Sequence, residues 1–249
     1  MAGFKDHFSA HAQDYRACRP GYPPALFAWL STLVQRHGAA LDLGCGNGQA
    51  SAGLAGYFAT VQALDPSAEQ IAQATRHARV TYGVAPAEAT GLPAQCADLI
   101  IAAQAFHWFD HARFFPELRR LARPGGAFAA IGYGLCRVDA GVDRVIDHLY
   151  HVMLGADWPP ERVHVEQGYR SLPFPLTELT APTLQIEERW TLAHLTGYLA
   201  TWSGVKAHQR RTRKDPLAAI ADDLRRAWGK PEEARAIAWP LAMRAGRIA

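Results

Sequence analysis

The sequence predicts an α/β protein, a doubly wound and mostly parallel sheet of seven strands carrying helical cap insertions. Three observations predict it. Short apolar runs alternate with longer amphipathic stretches between residues 23 and 134, the rhythm of parallel strands joined by crossover helices. The run Ala97-Asp98-Leu99-Ile100-Ile101-Ala102-Ala103 is apolar enough for a strand covered on both faces. A glycine-rich turn, Gly44-Cys45-Gly46-Asn47-Gly48, separates the first strand from the helix after it.

Each element follows from local chemistry. Pro23-Pro24 suits the opening of a helix, where proline loses no hydrogen bond, and that helix runs to Arg36-His37 before stopping at Gly38. Ala39 to Leu43 reads as the first strand, Gln49 to Phe58 as a helix and Val61 to Leu64 as the second strand. Ser67 caps a helix reaching His77. Val80 to Val84, Ala97 to Ala103 and Ala127 to Gly132 complete five strands, with a helix over Ala112 to Leu121 and the turn Arg123-Pro124-Gly125-Gly126 before the last. Residues 135–180 are too long for a connection and carry Pro159, Pro160, Pro173 and Pro175 with Tyr150, Trp158 and Tyr169 among them, which predicts an insertion capping the sheet. Thr183 to Trp190 reads as a sixth strand, 191–204 and 215–229 as helices, and Ala236 to Met243 as a last strand with a bulge at Trp239-Pro240.

Bulk properties narrow the class. Apolar residues make up 49% and charged residues 20% of the 249 positions, ordinary for a folded chain. A formal charge of +3 is too small for a dedicated nucleic-acid binder. The densest basic run, Gln209-Arg210-Arg211-Thr212-Arg213-Lys214, reads as a solvated helix end or loop. Cys18, Cys45, Cys96 and Cys136 are scattered without a C-x-x-C pair, so they suggest no zinc site and fit a reducing cytosol. No metal site is expected. No apolar segment approaches the roughly 18 residues of a membrane span, and a cytoplasmic protein is expected.

The chemistry concentrates in two acidic residues and the turn between them. Leu41-Asp42-Leu43-Gly44-Cys45-Gly46-Asn47-Gly48 places glycines at alternate positions, which lets backbone approach a ligand closely. The spacing is G-x-G-x-G, and Gln49 stands where a dinucleotide fingerprint needs its third glycine. That counts against a nicotinamide-dependent oxidoreductase. Asp42 offers a carboxylate to a ligand's ammonium group, and Asp65, before Pro66, ends the second strand at the offset where a carboxylate reaches a ribose diol.

Taken together, these residues resemble the class I S-adenosylmethionine-dependent methyltransferases, whose sheet is Rossmann-like. Ala85-Pro86-Ala87-Glu88, Ala97-Asp98-Leu99-Ile100, Gln104-Ala105-Phe106-His107-Trp108-Phe109 and Arg123-Pro124-Gly125-Gly126 are similar to further segments of the family. Tyr15-Arg16-Ala17-Cys18-Arg19-Pro20-Gly21-Tyr22-Pro23, Ala105-Phe106-His107-Trp108 and Thr201-Trp202-Ser203 resemble the type 11, trans-aconitate methyltransferase-like group. The resemblance implies S-adenosylmethionine as cofactor and S-adenosylhomocysteine as product. It implies contacts from Asp42, Gly44, Cys45, Gly46, Gly48, Asp65, Pro66, Ala87, Glu88 and Gln104. It also implies a single domain over 1–249: a helical lid over 1–38, a cofactor-binding core over 39–134, caps over 135–180 and 191–232, and last strands over 183–190 and 236–247.

Departures bear on the acceptor. Gln104-Ala105-Phe106-His107 is not the tetrad expected for amino methylation of bases or glutamine, and Cys96 follows Gln95 rather than proline. Both features disfavour an RNA methyltransferase. A non-catalytic module that only binds the cofactor remains open, because methyl transfer requires no diagnostic residue. His107, past the end of the fourth strand, is the candidate base, with a pKa expected to straddle neutrality; His111 reads as a helix start. Tyr15, Arg16, Arg19 and Tyr22 are read as a lid, in which Arg16 or Arg19 holds a carboxylate. Phe106, Trp108, Trp158, Phe174 and Trp202 supply aromatic pocket surface. The expected partner is a small acidic or hydroxylated acceptor methylated on oxygen, with neither nucleic acid nor membrane. The sequence leaves the oligomeric state unspecified, and a monomer is compatible with it.

Overall fold

The computed structural model describes residues 19–248. Five strands, β1 (Ala39–Leu43), β2 (Thr60–Asp65), β3 (Val80–Val84), β4 (Ala97–Ala103) and β5 (Ala122–Tyr133), pair in parallel in the order β3-β2-β1-β4-β5. Antiparallel β8 (Arg235–Arg247) extends this sheet beside β5 and pairs with β6 (Thr177–Leu179) and β7 (Gln185–Trp190). Helices α1 (Pro24–Thr32), α2 (Gln49–Leu54), α3 (Ala68–Ala72) and α4 (His111–Leu121) accompany the parallel strands. The cap contains α5 (Ala140–Asp147), which runs into a π-helical turn over His148–Met153, then α6 (Arg162–Glu166), α7 (Leu192–Ala200), α8 (Ser203–Thr212) and α9 (Pro216–Trp228).

The two-faced burial behind the apolar runs is visible in the central strands. Leu99 and Ile101 of β4 join Ala129 and Ile131 of β5 in a core with Leu30 of α1 and Leu54 of α2. The alternate residues Ile100, Ala102, Phe128 and Ala130 face the other way, against Phe114 and Leu118 of α4. Side chains of a strand alternate between faces, so both faces must be apolar when both are covered. A third core, around Tyr150, Tyr198, Trp202, Trp228 and Trp239, belongs to the cap.

The structure corrects four expectations. It has eight strands among the described residues rather than seven, because β6 is an exposed three-residue strand too short to show a period. The cap carries an additional helix, α8, which starts within the predicted helix 191–204 and ends in the basic run read as a solvated helix end or loop; its Gly204 lies under the Trp158 ring, where a Cβ would come within 2.9 Å. Strand β8 shows no bulge at Trp239-Pro240. Its register with β7 continues to Gln185↔Pro240, and β5 becomes its partner from Leu241 onward, so proline stands where the strand changes partners. Finally, Phe106 and Phe174 pack in and against the sheet core instead of lining a pocket.

The lower, amino-terminal edge of the sheet is tied by one carboxylate. Asp98 accepts hydrogen bonds from Gly38 N (3.0 Å), Ala39 N (2.9 Å) and Arg123 Nη1 (2.9 Å). It thereby joins the starts of β1 and β4 to Arg123 at the start of β5, where the predicted Arg-Pro-Gly-Gly turn is taken into the strand at a register shift. Among the described residues, no helix is long and apolar enough to cross a membrane.

Candidate functional site

The carboxyl edge of the sheet builds the site from its loops. After β1 the chain turns with φ +68°, +55° and +83° at Gly44, Gly46 and Gly48. Gly44 N and Cys45 N both donate to Leu64 O of β2, at 2.8 and 3.0 Å. Asp65, ending β2, receives Gly46 N on Oδ2 (2.8 Å) and Ser67 N on Oδ1 (2.9 Å). It therefore holds the turn in shape, a role additional to the predicted ribose contact. A Cβ at Gly46 would meet only Gln70 Oε1, at 3.8 Å. Gly46 is thus required by its backbone conformation and by whatever approaches from that open side, not by packing.

Asp42 lies beneath this turn and is fully buried. Its Oδ2 accepts from Ser51 Oγ at 2.6 Å, while Oδ1 has no partner. Burial, opposed by the Ser51 bond and reinforced by the Asp65 charge, pushes its carboxyl up to about 7. A buried, unsatisfied carboxylate oxygen is costly unless a ligand completes it. An ammonium group would do so, and an open glycine turn bordered by Asp65 suits a nucleoside. The residues present therefore fit S-adenosylmethionine. Cys45 contributes backbone; burial drives its thiol pKa far above the usual range, so it is no nucleophile.

The next loops flank the turn. Pro66 is half-buried beside Ser67, whose Oγ caps α3. Ala87 is buried after β3, and Glu88 Oε1 accepts Asp110 N (2.8 Å), fixing the two loops to each other. Gln104 follows β4 in a left-handed conformation (φ +56°), with Nε2 bonded to Tyr133 O at 3.0 Å. His111 Nε2 donates to Phe106 O (3.1 Å), and His111 opens α4 behind the Asp110 cap.

A cleft open to solvent lies over the ends of β4 and β5. Gln104, His107, Trp108 and Tyr133 form its sheet side, and Trp158, Arg162, Tyr198 and Trp202 its cap side. Arg19 crosses between them, with its guanidinium 5.7 Å from the Tyr198 ring centroid and Nη1 3.4 Å from Tyr133 Oη. Gln49 Nε2 donates to Pro20 O (2.9 Å) and Gly21 N to Glu188 Oε1 (3.2 Å). Tyr22 packs edge-on against Tyr133. Residues 19–22 thus span from the glycine turn to the cap; Tyr15 and Arg16 lie outside the described residues.

His107 departs from expectation in its chemistry. Its ring faces Tyr169 in a stacked arrangement, and its Nδ1 is buried without a partner. Burial, with the Arg162 charge adding to it, pulls the imidazole down to about 3 rather than near neutrality. The ring is neutral at physiological pH and accepts protons poorly. Sequence reasoning also missed Tyr133, Arg162 and Tyr198. Tyr133 was findable, since it ends β5 as His107 follows β4.

The comparisons agree with this geometry. A family model described as a methyltransferase domain matches residues 41–130. A "Putative methyltransferase" of Dictyostelium discoideum is 31% identical over 229 residues, covering 90% of this chain and 87% of its own. An uncharacterized methyltransferase of Mycobacterium tuberculosis is 34% identical over 125 residues, about half of each chain (50% and 51%). A solved structure, a "Putative Type II Methyltransferase" from Anaeromyxobacter dehalogenans, shares 63% identity at a TM-score of 0.88, covering 92% of this chain and 98% of that one. The chain belongs to the class I S-adenosylmethionine-dependent methyltransferases, and S-adenosylmethionine is its cofactor.

Proposed function

We propose that this cytosolic enzyme methylates a small molecule on a carboxylate oxygen. The observation that carries this reading is the neutral, buried His107 in a cleft walled by tryptophans and bordered by two arginines. Bound S-adenosylmethionine supplies a methyl carbon that its sulfonium makes electrophilic, so an oxygen lone pair displaces a neutral thioether. A hydroxyl acceptor requires a base to take its proton, and a base with a pKa of about 3 does this poorly near neutral pH. A carboxylate has no proton to lose. The protein's task is then alignment and exclusion of water, which supplies roughly 7–11 kcal/mol in well-oriented systems. Trp108, Trp158 and Trp202 exclude water, and Gln104 and Tyr133 border the acceptor where the strands end.

The cleft is walled by the sheet on one side and the cap on the other, which supports a small acceptor over a polymer. The test is a panel of small carboxylic acids, phenols and short RNAs incubated with labelled cofactor. Methyl esters of the acids are the expected products. Labelled RNA, or ethers in place of esters, would contradict the reading.

A further inference from the structure

The geometry points to Arg162 as the residue that selects the acceptor, by pairing with the carboxylate of a flat, apolar acid slotted between the cleft's aromatic walls. The inference rests on the reading that this cleft admits the acceptor. Arg162 opens α6, and Glu166, one turn on, ends it. Its Nε donates to Tyr150 Oη at 2.8 Å, and Tyr150 Oη in turn donates to Glu166 Oε1. Each group in this chain uses its one available polarity: guanidinium N–H to phenol oxygen, phenol O–H to carboxylate. The guanidinium also lies 5.7 Å from the Tyr150 ring centroid and 5.6 Å from that of Trp158. Two aromatic faces and one hydrogen bond therefore fix the plane of the fork before any ligand arrives.

The rest of the fork is unused. The terminal nitrogens of Arg162 make no hydrogen bond or ion pair with a described residue, and the side chain borders the open cleft. Elsewhere Arg123, Arg211, Arg235 and Arg244 are each engaged by a carboxylate. Arg19 shares the cleft but is laid on Tyr198 and bonded to Tyr133. A fixed, half-buried guanidinium with spare donors matches a planar anion bidentately, and the partly exposed Trp108 and Trp158 border the cleft beside it as apolar surface for the acid's body. Glu166 and Tyr150 are positioning residues, acting through Arg162.

The same contact gives the reaction a direction. A carboxylate presents about four lone-pair sites, of which a bidentate arginine occupies two. A free lone pair forms the new C–O bond, the pair from the broken C–S bond leaves with sulfur, and no proton moves. The ester so formed carries no charge, and its hold on Arg162 is lost.

Calorimetry on the full chain saturated with S-adenosylhomocysteine tests this, using cinnamic acid and methyl cinnamate as the matched probes. Wild type should bind the acid about 10- to 100-fold more tightly than the ester, the usual strength of charge-assisted bonding. Arg162→Met should abolish that preference, and Arg162→Lys should restore part of it. Tyr150→Phe and Glu166→Gln should lower the preference about 3- to 10-fold while raising KM and sparing kcat. S-adenosylhomocysteine affinity and Tm report whether each variant is folded. An acid preference that survives in folded Arg162→Met, or no acid binding in wild type, overturns the assignment. Ester production by a folded Arg162→Met with unchanged KM would do so too, while leaving carboxylate methylation standing. Phenol methylation without ester would instead remove the carboxylate reading itself.

Discussion

Two buried aspartates on neighbouring strands show how one sheet divides stability from function. Asp98, second residue of β4, lies at the lower edge and accepts three donors, Gly38 N, Ala39 N and the Arg123 guanidinium. Asp42, on β1 at the upper edge, accepts one from Ser51 and leaves Oδ1 bare. Both are buried and the strands are paired directly. A buried charge is tolerated when its donors are supplied by the fold and is an unsettled cost when they are not. The satisfied carboxylate staples the structure, whereas the other keeps one oxygen that the fold leaves without a donor.

The largest expected effect breaks the staple. Asp98→Ala should destabilise the protein by about 3–5 kcal/mol, since it strands two backbone donors and an arginine. Chemical denaturation measures this, and cofactor affinity per folded molecule should be unaltered. A loss below about 1 kcal/mol would mean that the three bonds contribute no more than exposed ones do.

Asp42→Asn should act in the opposite sense on the two properties. Cofactor affinity should fall by about 1–3 kcal/mol, the cost of losing a charged partner for the ammonium. Stability at pH 8 should rise, because asparagine keeps a Ser51 acceptor and removes the buried ionised form. Parallel titration and denaturation of the variant decide it, and a variant both weaker in binding and less stable at pH 8 would refute the comparison.

A smaller effect appears in the pH dependence of stability, where the signs are opposed. Asp42 is raised from 3.8 to about 7, so the folded state holds its proton more tightly and stability falls as pH rises through that window. His107 is lowered from 6.5 to about 3, so the unfolded state holds the proton and stability falls as pH drops below 6.5. Between about pH 4 and 6.5 the two contributions oppose each other. Asp42→Asn should expose the acid-side loss alone, and His107→Asn the alkaline-side loss alone. Profiles of both variants parallel to wild type would show that neither group titrates as described.

The upper edge was largely readable from sequence because its chemistry is local. Asp42, the three glycines and Asp65 stand at fixed offsets on a strand, a turn and the next strand, and φ values of +55° to +83° explain the glycine pattern. The five parallel strands were readable because burial on both faces leaves continuous apolar runs. The short β6, Thr177-Glu178-Leu179, is largely exposed and carries no such run. Helix α8 was legible only at its basic carboxyl end, because its anchors are single residues. Gly204 sits under Trp158, and Arg211 grips Asp157 through bonds of 2.6 and 2.7 Å. The cleft wall was illegible for a related reason. Arg162 and Tyr198 come from separate cap helices, and their convergence on Gln104 and His107 has no period to read.

The central claim is that Asp42 is the buried carboxylate a bound cofactor completes, and proton release on binding tests it most directly. At pH 6.5 a carboxyl with a pKa of about 7 is mostly protonated in the free protein, and the ligand's ammonium should drive it to ionise. S-adenosylhomocysteine titrated calorimetrically in buffers of different ionisation enthalpy should release more than roughly half a proton per site. In Asp42→Asn the release should vanish along with most of the affinity. Binding with no proton release in wild type, or the same release in Asp42→Asn, would contradict the account.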